Sequence, residues 1–318
     1  MKVYYGTSNP ILSRLIINQL VDIGYDLSNK SFESLQIDRF SDGEILPIFH
    51  ESVRNQDIFF IQSTNTSDNI IETLLVMDAA KRAGCKSFTL VAPFQSYSRQ
   101  DKVDHLRSSL GSKMLADILD KVGLNQIITI DLHSSSISAS YNCPMIQLNG
   151  NKIFINYIKS LNLYNLCICS PDFGAVKKNI DFAKAFPDAT FAVINKKRIK
   201  PNEIHSVELL GDVDGKNILI IDDLCDTFGT ISKVSDLLIE KGANSVRAIA
   251  THGVLSGPAI ENLNKSSISE LIVSDTLPNV YEKSGLTSKL RVISSSNLIS
   301  SSIHRLIKNQ SINELNVM

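Results

Sequence analysis

The stretch NILIIDDLCDTFGT, Asn217–Thr230, decides how the rest of the chain is read. Its apolar run Ile218–Ile221 has the composition of a strand buried on both faces of a parallel sheet. Asp222 and Asp223 stand where that strand is expected to end. Asp226, Thr227, Gly229 and Thr230 then supply small or polar residues for a tight turn. From Ile231 the apolar spacing becomes helical, with Ile231, Val234, Leu237 and Leu238 on one face and Gly242 just past the end. Loop N–H groups and a helix start present positive partial charge to a phosphate. The carboxylates accept from sugar hydroxyls or hold a metal through water. A buried strand with an acidic rim and an ordinary helix cap is the plain alternative. The position of two carboxylates at a strand's carboxyl end, where open α/β sheets bind ligands, favours the functional reading.

Outward from that stretch, 318 residues are enough for two domains with sizeable cores. A net charge of -1 gives no sign of a nucleic-acid or membrane partner. The five cysteines (Cys85, Cys143, Cys167, Cys169, Cys225) are odd in number and scattered, which suits a reducing cytoplasm rather than a disulfide framework. The N-terminus enters a strand directly, and no apolar run approaches the ~20 residues of a membrane span.

The spacing predicts strands at Lys2–Tyr5, Leu35–Phe40, Glu44–Phe49, Asp57–Gln62, Ser87–Pro93 and Ile127–Ile130, with helices at Ile11–Ile23, Ile70–Arg82 (capped by Ser67 or Asp68) and Leu110–Val122. A second series begins with a helix at Lys152–Ser160. It continues with a strand at Leu166–Cys169, a helix at Phe173–Phe186 and a strand at Thr190–Ile194. After the opening stretch come Ser245–Ala250, Leu271–Val273 and Leu290–Ile293 as strands, and Gly257–Leu263 and Asn297–Ile307 as helices. This alternation implies an α/β fold of two domains, each a mainly parallel sheet flanked by helices, with a boundary near Leu148–Asn151. The matching order suggests a duplication.

Polar residues collect at the expected strand ends. His133 and Asp172, together with Asp222 and Asp223, form a set suited to a hard divalent ion, although a lone His at such a place is more often structural. The run Lys196-Lys197-Arg198-Ile199-Lys200 reads either as a solvated loop or as a mobile flap whose cations cover a transferring phosphoryl group. Phe40, beside Asp42 and Glu44, can stack on a base, and Arg99 and Lys102 can bind phosphates. No Walker A loop, dinucleotide fingerprint or nucleophilic triad is present in the sequence.

Taken together, RFSDGE (39–44), ESVRNQDIFFIQST (51–64), YSRQDK (97–102), DLH (131–133), SPDFG (170–174), KKR with GDVDGK (196–198, 211–216), IDDLCDTFGT (221–230) and SGPAIENLNKSSISELIVSDTLP (256–278) resemble the ribose-phosphate pyrophosphokinase family over almost the whole chain. The resemblance implies two phosphoribosyltransferase-like domains, an ATP-side domain at 1–149 and a ribose-5-phosphate domain at 150–299, with a helix at about 300–318 packing on the first. It implies formation of 5-phosphoribosyl 1-pyrophosphate and AMP from ATP and ribose 5-phosphate, by attack of the anomeric hydroxyl on the β-phosphorus. By similarity, Phe40, Asp42, Glu44, Arg99 and Gln100 would bind ATP. His133 and Asp172 would organise Mg²⁺, and Lys196 and Arg198 would be catalytic. Asp222 and Asp223 would take the sugar, and Asp226, Thr227, Phe228, Gly229 and Thr230 the 5-phosphate. A cytoplasmic homo-oligomer, hexameric in the family, is also implied.

Two positions depart from the family pattern. Lys197 stands where Arg is usual, leaving Lys196 and Arg198 in place. Phe228 stands where a small residue is usual, and the loop can still close if the ring points outward. A non-catalytic regulatory homologue or a phosphoribosyltransferase is the alternative, but the presence of the ATP-side blocks and flap cations favours the enzyme.

Overall fold

Apolar runs of β-branched residues build two parallel sheets, and helices with one apolar face cover them. In a computed structural model, residues 1–25, 34–103, 105–200 and 203–316 are described, with backbone alone for 196–200, 203–207 and 316. The chain forms two compact units: Met1–Asn149 with Thr276–Pro278 and Ser295–Leu315, and Gly150–Asp275 with Asn279–Ser294.

The first unit runs β1 (Lys2–Tyr5), α1 (Pro10–Asp22), β2 (Leu35–Arg39), β3 (Ile45–Phe49), β4 (Asp57–Ile61), α2 (Ser67–Arg82), β5 (Ser87–Ala92), α3 (Gly111–Val122), β6 (Gln126–Ile130) and β7 (Met145–Leu148). Its main sheet has the order β1-β4-β5-β6-β7, with every pair parallel. β2 and β3 form a separate antiparallel pair. Asn9 caps α1 by accepting from Leu12 N at 3.2 Å, Pro10 pre-sets the first turn, and Leu12, Ile16 and Leu20 bury one face. Thr66, rather than Ser67 or Asp68, caps α2, accepting from Asn69 N at 3.1 Å.

The second unit runs α4 (Asn151–Ser160), β8 (Leu166–Ser170), α5 (Val176–Ala183), β9 (Thr190–Lys200), β10 (Glu203–Leu210), β11 (Asn217–Cys225), α6 (Gly229–Glu240), β12 (Ser245–Gly253), α7 (Ala259–Lys265), β13 (Glu270–Ser274), α8 (Asn279–Ser284) and β14 (Leu290–Ile293). The sheet order is β10-β9-β8-β11-β12-β13-β14, parallel except for the antiparallel edge pair β9–β10. The chain ends in α9 (Ser296–Ile307) and α10 (Asn313–Asn316). α9 lies in the first unit, where Gln19 Nε2 donates to Ser296 Oγ at 3.0 Å and Ser300 Oγ to Gln19 Oε1 at 2.8 Å.

The two sheets repeat one topology. The series β1-β4-β5-β6-β7 matches β8-β11-β12-β13-β14, and in both units a strand pair is inserted between the first and second members. Three expectations change. The basic run is not a loop: β9 continues through it to Lys200 and pairs with β10, a strand that no expected element covered. β11 does not stop before the acid pair, because Asp222, Leu224 and Cys225 still pair with Ala250, His252 and Gly253 of β12. The segment Phe173–Phe186 is helical only over Val176–Ala183.

Candidate functional site

In the second unit the polar groups gather where β8 ends and its pairing with the neighbouring β11 stops, with Asp222 and Asp223 still in β11. Asp222 Oδ1 accepts from Asp223 N at 2.9 Å. Burial, then the adjacent Asp223 and the more distant Asp172, push the Asp222 carboxyl well above the usual carboxylate range. Asp172 is exposed, and its Oδ1 accepts from Ala175 N at 3.1 Å, closing the turn into α5. A site that crowds carboxylates in this way favours hydroxyl donors or a cation as its guest.

The loop after β11 is held from outside. Ser256 Oγ donates to Asp226 Oδ1, Asn262 Nδ2 of α7 donates to Thr227 O at 2.9 Å, and Leu255 N donates to Cys225 O at 3.0 Å. Phe228 adopts a left-handed conformation (φ 63°) at the start of α6, and its ring is 2% exposed, inside a core cluster with Cys225, Ile231 and Leu255. The ring therefore points inward rather than outward, beneath the loop. No side chain caps α6. At Gly229 an added Cβ would meet only Thr227 Oγ1, at 3.8 Å, so the backbone there borders open space. An uncapped helix start with an approachable backbone is the geometry that receives an anion.

In the first unit, Phe40, Asp42 and Glu44 occupy the turn between β2 and β3. Phe40 N donates to Glu44 O at 2.9 Å, Gly43 N to Phe40 O at 2.9 Å, and Glu44 N to Asp42 Oδ1 at 3.1 Å. Gly43 has φ +95°, a conformation that favours glycine. Arg39 braces the turn, donating to Gly43 O at 3.2 Å and pairing with Asp68 at 3.0 Å. The Phe40 ring is 53% exposed. Arg99 and Gln100, both exposed, follow β5, and the exposed His133 follows the adjacent β6. Ser112 Oγ donates to Gln100 O at 3.0 Å, tying that segment to α3.

Lys196 and Arg198 lie on β9, in register with Val207 and Ile204 of β10; their side chains lie outside the described residues. Among the described residues no three His, Cys, Asp or Glu side chains converge on a metal position. A Mg²⁺ ion needs only one or two such groups besides water and phosphate, so Asp172 after β8 and the acid pair in the last residues of β11 still fit a hard cation. No helix among the described residues is long and apolar enough to cross a membrane. Ser256 and Asn262 were not apparent as site residues, because nothing in their spacing signals that they hold the loop.

Fold and strand ends define a class: a two-unit α/β protein with polar groups at the carboxyl ends of parallel strands, where open sheets bind ligands. The family model for the N-terminal domain of ribose phosphate pyrophosphokinase matches residues 1–123, and that for the phosphoribosyl synthetase-associated domain matches residues 178–316. A ribose-phosphate pyrophosphokinase of Porphyromonas gingivalis is 38% identical over 315 residues, covering 98% of this chain and 96% of the relative. One from Aquifex aeolicus is 38% identical over 318 residues, covering 99% and 98%. The crystal structure of phosphoribosylpyrophosphate synthetase from Mycobacterium smegmatis superposes with a TM-score of 0.86 at 31% identity, covering 97% of this chain and 99% of that one. The chain belongs to the ribose-phosphate pyrophosphokinase family of enzymes.

Proposed function

We propose that the chain makes 5-phosphoribosyl 1-pyrophosphate and AMP from ATP and ribose 5-phosphate, the anomeric hydroxyl attacking the β-phosphorus of ATP. The observation that carries this reading is the pairing of the crowded Asp222–Asp223 carboxylates with the uncapped, externally held loop into α6. Asp222 and Asp223 accept from the ribose hydroxyls, and the backbone from Asp226 to Thr230 takes the 5-phosphate. Phe228 contributes its backbone to that cradle. The ring of Phe40 stacks on the adenine while Asp42 and Glu44 accept from the nucleoside, and Arg99 and Gln100 orient the phosphates. The first unit, with α9, is then the ATP side, and the second unit, Gly150–Asp275 with Asn279–Ser294, the sugar-phosphate side.

Lys196 and Arg198 offset the charge that spreads over the transferring phosphoryl oxygens. In the second unit Asp172, and in the first unit His133, are each proposed to contact Mg²⁺. When bound, the ion neutralises phosphate charge and orients the ATP oxygens. No general acid–base pair is assigned, since transfer of this kind is dominated by positioning. A cytoplasmic homo-oligomer, hexameric by resemblance, completes the reading.

Purified protein incubated with ATP, Mg²⁺ and ribose 5-phosphate should release AMP and phosphoribosyl pyrophosphate in equal amounts. AMP at background across a range of phosphate concentrations would leave the regulatory-homologue reading in its place. Sedimentation of the same sample measures the assembly.

A further inference from the structure

One buried polar side chain beside the sugar-phosphate residues has no role in that reading. Asn179 lies in α5, 1% exposed, on the face that also buries Phe182. Its Nδ2 donates to Ser170 Oγ at 2.8 Å and to Ile221 O at 3.0 Å. The Ile221 carbonyl can only accept, so the orientation of the amide is fixed. Asn179 Oδ1 meets no donor among the described residues. A buried acceptor left unbonded is destabilising, and Asn is a weak helix former. Packing alone would favour an apolar residue here, so the amide's contribution lies in what its N–H groups hold.

Those groups hold the end of β8 to β11 at the point where the pairing of the two strands stops. β8 stops at Ser170, and Pro171 has no N–H with which to continue a ladder. Its register with β11 ends at Ile220↔Cys169. The bonded groups, Ser170 and Ile221, are the next residue along each strand. Asp172 stands two residues beyond Ser170, and Asp222 directly follows Ile221.

We propose that Asn179 is a positioning residue for the family's reaction, tying β8 to β11 one step past their last paired residues and so setting the spacing of Asp172 and Asp222. What that spacing serves rests on the function proposed above; the tie itself does not. Asn179 touches no substrate in this reading, and acts through the two strand ends.

Two substitutions of similar size separate donor from packing. Asn179→Leu keeps the volume and removes both bonds, while Asn179→Asp keeps the shape and puts an acceptor against Ile221 O. Both are expected to raise the KM for ribose 5-phosphate about tenfold, on the order of one lost hydrogen bond, and to leave the KM for ATP within about twofold. Hydrogen exchange on the ligand-free protein should quicken in peptides covering 170–175 and 221–227, with 231–240 unchanged.

A Leu variant with the wild-type KM for ribose 5-phosphate overturns the proposal, as does unchanged exchange at both strand ends, or an equal rise in both KM values. If the Asp variant does not fold, Ser170→Ala, which removes one of the two bonds, carries the same readouts beside Asn179→Leu. Should the wild-type chain form no phosphoribosyl pyrophosphate, the functional reading fails, and exchange still decides whether Asn179 ties the strands.

Discussion

Phe228 sets two opposed effects against each other. A left-handed conformation costs a residue with a Cβ roughly 1–2 kcal/mol, while truncating a buried aromatic ring costs about 3–5 kcal/mol, so the ring's burial prevails. Both Phe228→Ala and Phe228→Gly should therefore destabilise the protein, but Gly by about 1 kcal/mol less, because it alone escapes the strain. Urea unfolding of the two variants measures the difference, and a Gly variant less stable than Ala would refute the strain argument. Asp222 allows a second test. Its raised pKa means that the folded chain holds the proton more tightly than the unfolded chain. The associated stability is full below the unfolded carboxylate pKa, ~4, and is lost as pH climbs through the raised value. Ligand-free Asp222→Asn should then gain in melting temperature over the wild type as pH rises from about 5 to 8. The same variant should lose ribose 5-phosphate binding by calorimetry. A melting difference independent of pH would show that the carboxyl is not crowded.

At the scale of elements, the strands and helices readable from the sequence were those with long runs or clear periodicity, such as Asp57–Ile61 and Gly111–Val122. β7, α8 and β10 were missed for identifiable reasons. β7 breaks a short apolar run with Gln147, α8 has six residues, and β10 mixes Glu203, His205, Ser206 and Glu208 with its apolar positions. Pairing with β9 supplies the order that local sequence does not. That correction sharpens the functional test. The backbone of 196–198 pairs with β10, with register shifts between Glu203 and Ile204 and between Ile204 and Ser206. Lys196→Ala is expected to lower turnover by about two to three orders of magnitude with ATP binding little changed, as loss of a charge-stabilising group does. Lys197→Ala should stay within a few-fold of the wild type. Equal losses in the two variants would mean that a diffuse field of basic charge, rather than Lys196 in particular, does the work.

For the whole molecule, the acid pair in the last part of β11 was legible because carboxylates interrupt an apolar run, whereas the partners that fix the residues around it come from distant segments. Asn179, at Ile221, and Ser256 and Asn262, at Asp226 and Thr227, reach the residues on either side of the pair only through the fold. The repeated topology also shows what the first unit does with the equivalent strand end. Gln62 follows β4 as Asp222 follows Ile221, and Glu72, fully buried, accepts from Gln62 Nε2 at 2.8 Å and from Thr7 N at 2.8 Å. That end is filled by the protein's own side chains. The C-terminal segment shows the same dependence on distant sequence. α9 belongs to the first unit, burying Ile299 and Ile303 and bonding α1 through Gln19, while Tyr25 OH lies 3.0 Å from His304 Nδ1. At about 1.5–3 kcal/mol per fully buried aliphatic side chain, α9 contributes several kcal/mol to that unit. Truncation after Ser294 should lower the melting of the first unit and quicken hydrogen exchange in α1, while exchange in β11 and β12 of the second unit keeps its wild-type rate. Equal quickening in both units would show that the chain unfolds as one cooperative body, with α9 stabilising all of it.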